Sequence, residues 1–389
     1  MRVLQIHTRY HMSGGEDRVV DAEAALLREA GHEVSRLDAF NPRGAKAALS
    51  LLAAPHNPLG ARRARAAAAA FKPDVAHVHN TWFGLSPAVI PALDAMGIPV
   101  VMTLHNYRLI CANAQLYRDG HPCTDCVGTH PWHGVQHACY RDSRLASTPA
   151  AATIALNRAK GTWVDHVTKF VALTDFARSM FIAGGLPAER IVVKPNFTAD
   201  PGPRSCAPSE SSTVLVVGRL SPEKGVETLI DGFNRLGDTD LELVVVGDGP
   251  ERAKLESQAG PRVRFTGWLD PAAVQQLLLS ARALCFPSEW YEPFGLAAVE
   301  AMAAGLPILT SPVGSLPDLI KDGAGWIAKQ GTIAGWQQAL ISLRHNGRVD
   351  CAGGAARKRW KNEFSPGIGL SILRGTYKDA AVASERAST

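Results

Sequence analysis

The sequence predicts an α/β protein of two doubly wound, Rossmann-like domains facing a central cleft, and three observations predict it. Short β-branched runs alternate with helical patterns over nearly all of the 389 residues. The runs are apolar on both faces, as strands buried inside a parallel sheet must be. The alternation halts once, where Pro, Ser, Asp and Gly crowd together over residues 195–212, and then begins again.

Taken in order, RVLQIHT, DVAHVH, PVVMTLH, KFVAL and RIVVKP read as strands of the first half. Helical patterns fall near residues 17–30, 59–71, 87–96, 148–164 and 175–183. The second half supplies VLVVG, LELVVVG, RVRFTG, ALCFP, PILTS and GWIA, each followed by a helix or a turn. The expected organisation is therefore one Rossmann-like domain over 1–195, a linker over 196–212 and a second such domain over 213–365. The segment 366–389 is expected to form a helix that crosses back to the first domain. In open α/β sheets ligands bind at the carboxyl ends of the strands, so two such sheets facing each other could hold one ligand between them.

Composition bounds the class. Hydrophobic residues make up 46% and charged residues 20% of the chain, which excludes a collagen-like or disordered protein. No run reaches the ~20 apolar residues of a membrane helix, and the apolar core of MRVLQIHTRY is too short for a signal peptide, so a cytoplasmic location is expected. A net charge of +5 is too mild to argue for nucleic acid. The charge is uneven, with 21 basic against 15 acidic residues up to residue 195 and 20 against 21 after it. Between Asp38 and Asp74 stand Arg43, Lys46, Arg62, Arg63, Arg65 and Lys72 and no acid. Helices with one basic face over 43–72 could rest on anionic lipid at the inner face of the plasma membrane or on an anionic acceptor; a plain solvated surface is the alternative.

The chemistry-bearing residues follow strand ends. After ALCF comes PSEWYEPFGLAAVEAMAAG, in which Pro293 suits the first helical position and Gly305 the end. A helix from Pro293 would leave the amides of Phe294, Gly295 and Leu296 at its N-terminus, where anions and hydroxyls bind. Glu292 and Glu300 would then stand roughly 12 Å apart at 1.5 Å per residue, one gripping a sugar and the other a ribose. VLVVGRLSPEKG sets Arg219 and Lys224 in the loop after a strand, two cations suited to a diphosphate leaving group. Gly14 and Gly15 at the first strand-to-helix turn let backbone approach a phosphate or sugar, and Glu16 follows them. TLHN and HVHN put His105, His79 and Asn80 at strand ends.

The spacing EPFGLAAVE, with GRL…KG upstream, resembles the family-four retaining glycosyltransferases of GT-B fold over nearly the full length of the chain. The resemblance implies transfer of a sugar, with retention, from a nucleotide diphosphate sugar (UDP- or GDP-linked) to a hydroxyl of a glycan or lipid-linked oligosaccharide, as in surface polysaccharide synthesis. It assigns Arg219 and Lys224 to the diphosphate, and Glu300 to the ribose. Glu292 and the amides of Phe294, Gly295 and Leu296 go to the donor sugar, Gly14 and Gly15 to the glycine-rich loop, and His105 to orienting the sugar. It implies no catalytic metal; DTD at 238–240 precedes a strand and reads as a solvated turn. An epimerase or hydrolase on the same scaffold, or a non-catalytic glycan-binding protein, remains open at this point.

Residues 106–140 interrupt the rhythm with no clear strand or helix and carry Cys111, Cys123, Cys126 and Cys139. Four thiols, two spaced C-x-x-C, could wrap one tetrahedral ion, so a structural zinc is expected. An iron–sulfur cluster, a disulfide pair or unliganded thiols are the alternatives. His121, His130, His133 and His137 could replace a cysteine.

Overall fold

The computed structural model describes residues 1–10 and 14–388. The chain divides into two units, one of residues 1–116, 123–195 and 369–389, the other of 117–122 and 196–368.

The first unit holds strands β1 (Arg2–Arg9), β2 (Glu33–Phe40), β3 (Val75–Asn80) and β4 (Val100–Leu104). The two-residue strands β5 (Tyr117–Arg118) and β6 (His121–Pro122) form a separate antiparallel hairpin grouped with the second unit. Strands β7 (Lys169–Ala172) and β8 (Ile191–Val193) complete a parallel sheet of order β2-β1-β3-β4-β7-β8. The strand β2 is absent from the sequence expectation for a physical reason. EVSRLDAF lies at the sheet edge with most of its residues half-buried, so it lacks the two-sided apolar signature of its neighbours. The insertion, too, is more structured than expected, with the β5–β6 hairpin and a helical turn at His133–Gln136.

The second unit holds β9 (Thr213–Val217), β10 (Glu242–Val246), β11 (Val263–Gly267), β12 (Ala283–Phe286), β13 (Ile308–Thr310) and β14 (Gly325–Ile327). All are parallel, in the order β11-β10-β9-β12-β13-β14. Val214, Leu243, Val245 and Cys285 on these strands pack against Leu229, Phe233, Trp336 and Leu340 of flanking helices. The final helix, Pro366–Ser388, contributes Leu373, Tyr377 and Ala380 to the core of the first unit, beside Val3, Val75, Val101 and Val171.

In each sheet the strand order reverses once. The reversal falls between β1 and β3 in the first unit and between β9 and β12 in the second. At such a switch point the loops leave in opposite directions and open a crevice at the carboxyl ends of the strands.

Candidate active site

The second unit's crevice is built by loops that leave no room for side chains. After β9, Gly218 N donates to Val246 O at 3.0 Å and Leu220 N to Asp248 O at 3.0 Å, while Gly247 N donates to Gly267 O at 2.9 Å. A Cβ on Gly247 would stand 1.8 Å from Gly218 O, and one on Gly249 would stand 2.2 Å from Leu220 O. The GRL, GDG and FTG segments are thus fastened to one another by backbone contact. Arg219 projects from this base, exposed and with no ion-pair partner among the described residues.

The next turn, Pro222–Lys224, ends at Gly225 in the left-handed conformation, φ +62°. A Cβ there would meet Pro287 O at 2.3 Å, so only glycine lets the turn press against the exit of β12. That approach delivers Lys224 to Glu292. The Lys224 Nζ donates to Glu292 Oε1 at 3.1 Å and Oε2 at 2.8 Å, and Oε2 also accepts from Trp290 Nε1 at 2.7 Å and Ser288 Oγ at 3.1 Å. The Ser315 hydroxyl holds the Glu292 carbonyl at 2.9 Å. The Lys224 ammonium also lies 5.2 Å from the centre of the Trp290 ring. Sequence reasoning found both charged residues but treated them as separate contacts; the fold makes them one ion pair, 23% and 12% exposed.

The helix after Glu292 starts later than expected. It spans Leu296–Ala303, with Gly295 as N-cap at φ +97°. A left-handed residue breaks the helix between Pro293 and Leu296, which corrects two expectations. The Phe294 amide is not in the first turn; instead its buried ring packs edge-on against Phe364, with centroids 6.0 Å apart. The helical rise also does not measure the Glu292–Glu300 separation, since Glu292 lies outside the helix. Of the three expected amides, that of Leu296 opens the first turn and Gly295 caps it. Glu300 sits half-buried within the helix.

In the first unit, Gly14 caps the helix Gly15–Glu29, with open space where its Cβ would be. Gly14 N donates to Asp17 Oδ2 at 3.1 Å, and Asp17 Oδ1 lies 2.8 Å from His7 Nε2. Glu16 turns inward beside them. Its Oε2 accepts from Tyr10 Oη at 3.1 Å, while its buried Oε1 has no hydrogen-bond partner among the described residues. Burial pushes its carboxyl up to about 8. His105, after β4, lies 3.0 Å (Nε2) from His79 Nδ1, the two rings stacked. Both line a pocket with Asn80, Trp82, Asn106 and Arg108 at the carboxyl ends of β3 and β4. Burial holds both histidines well below their usual range.

Behind them lies a group that sequence reasoning missed: Glu23, Lys194, His77, Thr103 and Tyr377, all buried. The signal was available, because Glu23 occupies the apolar stripe Val20, Glu23, Ala24, Leu27 at helical spacing.

The cysteine quartet shares one region of the first unit. Cys126 is pushed up to about 12 by burial and then by its neighbours Cys111, Cys139 and Cys123. Cys111 Sγ donates to Asn113 Oδ1 at 2.9 Å. Among the described residues, the three side chains whose ligand atoms gather within 4.8 Å of one another are Glu23, His77 and His79, not the thiols. As placed, the quartet does not make the expected tetrahedral ligand set. Aromatic packing holds the insertion: the Arg108 guanidinium lies 4.5 Å from the Trp82 ring and 5.2 Å from the Tyr140 ring. His130 stacks on His133 at 4.2 Å.

Each unit is a parallel sheet that reverses its strand order once, and the second carries an ion pair on the loops at its switch point. The family model described as Glycosyltransferase Family 4 matches residues 13–199, and that described as Glycosyl transferases group 1 matches residues 204–363. The two matches follow one another along the chain, and the solved structures it resembles share its fold of two parallel-sheet α/β domains. It is 29% identical over 249 residues to a phosphatidyl-myo-inositol mannosyltransferase of Mycobacterium leprae, an alignment covering 56% of this chain and 64% of that one. It is 30% identical over 303 residues to a glycogen synthase of Mycobacterium tuberculosis, covering 76% and 66%. The chain thus spans slightly less than two thirds of the length of either relative. The crystal structure of Anabaena HepE in complex with UDP and glucose superposes with a TM-score of 0.67 at 18% identity, over 96% of this chain and 98% of that one.

Proposed function

We propose that the protein is a retaining glycosyltransferase, moving a sugar from a UDP- or GDP-linked donor to a hydroxyl of a glycan or lipid-linked oligosaccharide in surface polysaccharide synthesis. The observation that carries this reading is the Lys224–Glu292 pair, with Arg219 on the same loop after β9, at the switch point of the second sheet. Breaking a glycosidic bond to a diphosphate leaves charge on the departing phosphate. Fixed cations stabilise that charge without reorganising. Arg219 and Lys224 supply them, the amides around Gly295 and Leu296 take hydroxyls of the sugar, Glu300 takes the ribose, and His105 orients the transferred sugar. The Glu292 carboxylate is committed to Lys224, Trp290 and Ser288, which suits an anchoring role and does not suit a nucleophile. Retention then comes from an acceptor hydroxyl entering on the face that the diphosphate leaves.

The test has two parts. UDP, GDP and their sugar conjugates are screened for thermal stabilisation, where a ligand at 100 times its Kd adds about 2.7 kcal/mol. The stabilising donor is then incubated with and without glycan acceptors. Transfer only with acceptor is expected; equal turnover of the donor alone would favour the hydrolase or epimerase, and no stabilisation by any nucleotide would overturn the reading.

The basic segment supports an acceptor held at a membrane. Leu49 and Leu52, each 69% exposed, project from the helix Ala45–Leu52 with Lys46, and Leu59 projects from Pro58–Phe71 with exposed Arg62 and Arg63. Exposed leucines among cations fit an anionic lipid surface. Co-sedimentation with phosphatidylglycerol vesicles is expected, weakened several-fold by salt and by Leu49→Ser with Leu52→Ser. Equal binding by that double variant would remove the proposal. Among the described residues no helix is long and apolar enough to cross a membrane.

A further inference from the structure

We propose that Glu23 is a positioning residue that fixes the tautomer of His105, so that His105 meets its ligand through a bare, hydrogen-bond-accepting Nδ1. The tautomer is a property of the ligand-free chain; only its meaning for sugar binding rests on the function proposed above.

The argument starts at a fully buried ion pair. Lys194 Nζ donates to Glu23 Oε1 at 2.5 Å, and neither side chain is exposed. The lysine satisfies one carboxylate oxygen and leaves the other. Among the described residues Glu23 Oε2 has no hydrogen-bond partner, and it stands 3.9 Å from His77 Nδ1 and 3.7 Å from His79 Nε2. His77 has other commitments, with Nδ1 2.7 Å from Tyr377 Oη and Nε2 2.7 Å from Thr103 Oγ1. Among the described residues His79 Nε2 has no hydrogen-bond partner, and the Glu23 carboxylate is the charge that faces it. The carboxylate therefore acts on His79.

A deprotonated oxygen repels the lone pair of a ring nitrogen and attracts an N–H, so the proton of His79 belongs on Nε2. Burial and the positive charge of Lys194 keep both His79 and His105 neutral, with one ring proton each. His79 Nδ1 is then bare. Its 3.0 Å contact with His105 Nε2 is a hydrogen bond only if His105 donates from Nε2. His105 Nδ1 is left without a proton. Ligand chemistry follows: a bare nitrogen accepts from a hydroxyl and repels a phosphate oxygen, so the group that His105 contacts is a sugar or polyol hydroxyl, not an anion. Which ring nitrogen carries the proton is set by the partner of the other one, here through two steps from Glu23.

The experiment reads tautomers directly. Long-range 1H–15N spectra of the ligand-free chain, labelled with 15N-histidine, are recorded at pH 7, with His105 and His79 assigned through His105→Gln and His79→Gln. In the unsubstituted protein both rings are expected to be protonated on Nε2; protonation of His105 on Nδ1 would overturn the proposal without any substitution. In Glu23→Gln the Lys194 ammonium claims the amide oxygen, which turns the NH2 towards His79 and should move the proton of both rings to Nδ1. Unchanged shifts in a folded Glu23→Gln protein would overturn it. Should that variant not fold, His79→Phe serves. There His105 is expected to lose its single tautomer, and a His105 still held wholly as Nε2–H would contradict the relay. A protein that transfers no sugar leaves these readings unaffected, so failure of one proposal is distinguishable from failure of the other.

Discussion

Replacing Lys224 with Ala is expected to lower sugar transfer by about 10²–10³-fold, the usual loss on deleting one fixed group that stabilises charge in a transition state. The fold should survive, because the side chain is partly exposed and its loss leaves a carboxylate that still accepts from Trp290 and Ser288. Glu292→Gln should cost a comparable factor by a different route. It keeps the shape and removes the charge that holds the Lys224 Nζ in place. Since both substitutions break one pair, their effects should not multiply. Steady-state kinetics of the two single variants and the double variant form a cycle with an expected coupling of about 0.5–3 kcal/mol. A double variant as slow as the product of the single losses would mean that the two residues act on separate parts of the donor. Full activity in either single variant would remove them from the site.

The second large effect is on stability. Lys194→Ala leaves the Glu23 carboxylate buried with no cation beside it, and breaking such a pair by removing one partner costs about 3–5 kcal/mol. Denaturant unfolding followed by fluorescence should show an earlier transition for the first unit. The double variant Glu23→Leu with Lys194→Met removes both charges and should recover most of that loss, since a buried ion pair replaced by apolar groups is often neutral or better. If the double variant is as unstable as the single one, the cost lies in lost packing and not in the uncompensated charge. The two substitutions also separate stability from the tautomer relay, because neither double-variant side chain can orient His79.

How much of this was legible depended on what each residue packs against. The six strands of the second sheet were all visible, the inner four because they are apolar on both faces. The strand β2 was not, since an edge strand keeps polar residues and resembles a loop. Lys224, Glu292 and Arg219 could be found from spacing along the chain. The Lys224–Glu292 pairing could not, because it depends on the left-handed Gly225, nor could the helix start, because it depends on the left-handed Gly295; no periodicity reports either. The same Gly295 moved the helix start past Pro293, whose fixed φ had favoured an earlier one. Glu23 and Lys194 lie 171 positions apart. Glu23 would have been suspicious as a charge in an apolar stripe, but its partner could come only from the sheet topology. For the cysteines, spacing suggested a shared ion, whereas the structure shows thiols near one another without the convergence that a ligand set needs.

Tyr377 and its neighbours on the final helix have a consequence for how the molecule is made. The first unit has not acquired all its core when residue 195 leaves the ribosome, because Leu373, Tyr377 and Ala380 are synthesised after the entire second unit. Until then the surface around Val3, Val75 and Val101 lacks its cover, and His77 lacks one of its two hydroxyl partners. Translation order therefore runs against assembly order: the unit begun first is completed after the other, and a nascent chain must keep an apolar face from aggregating while the second unit is made.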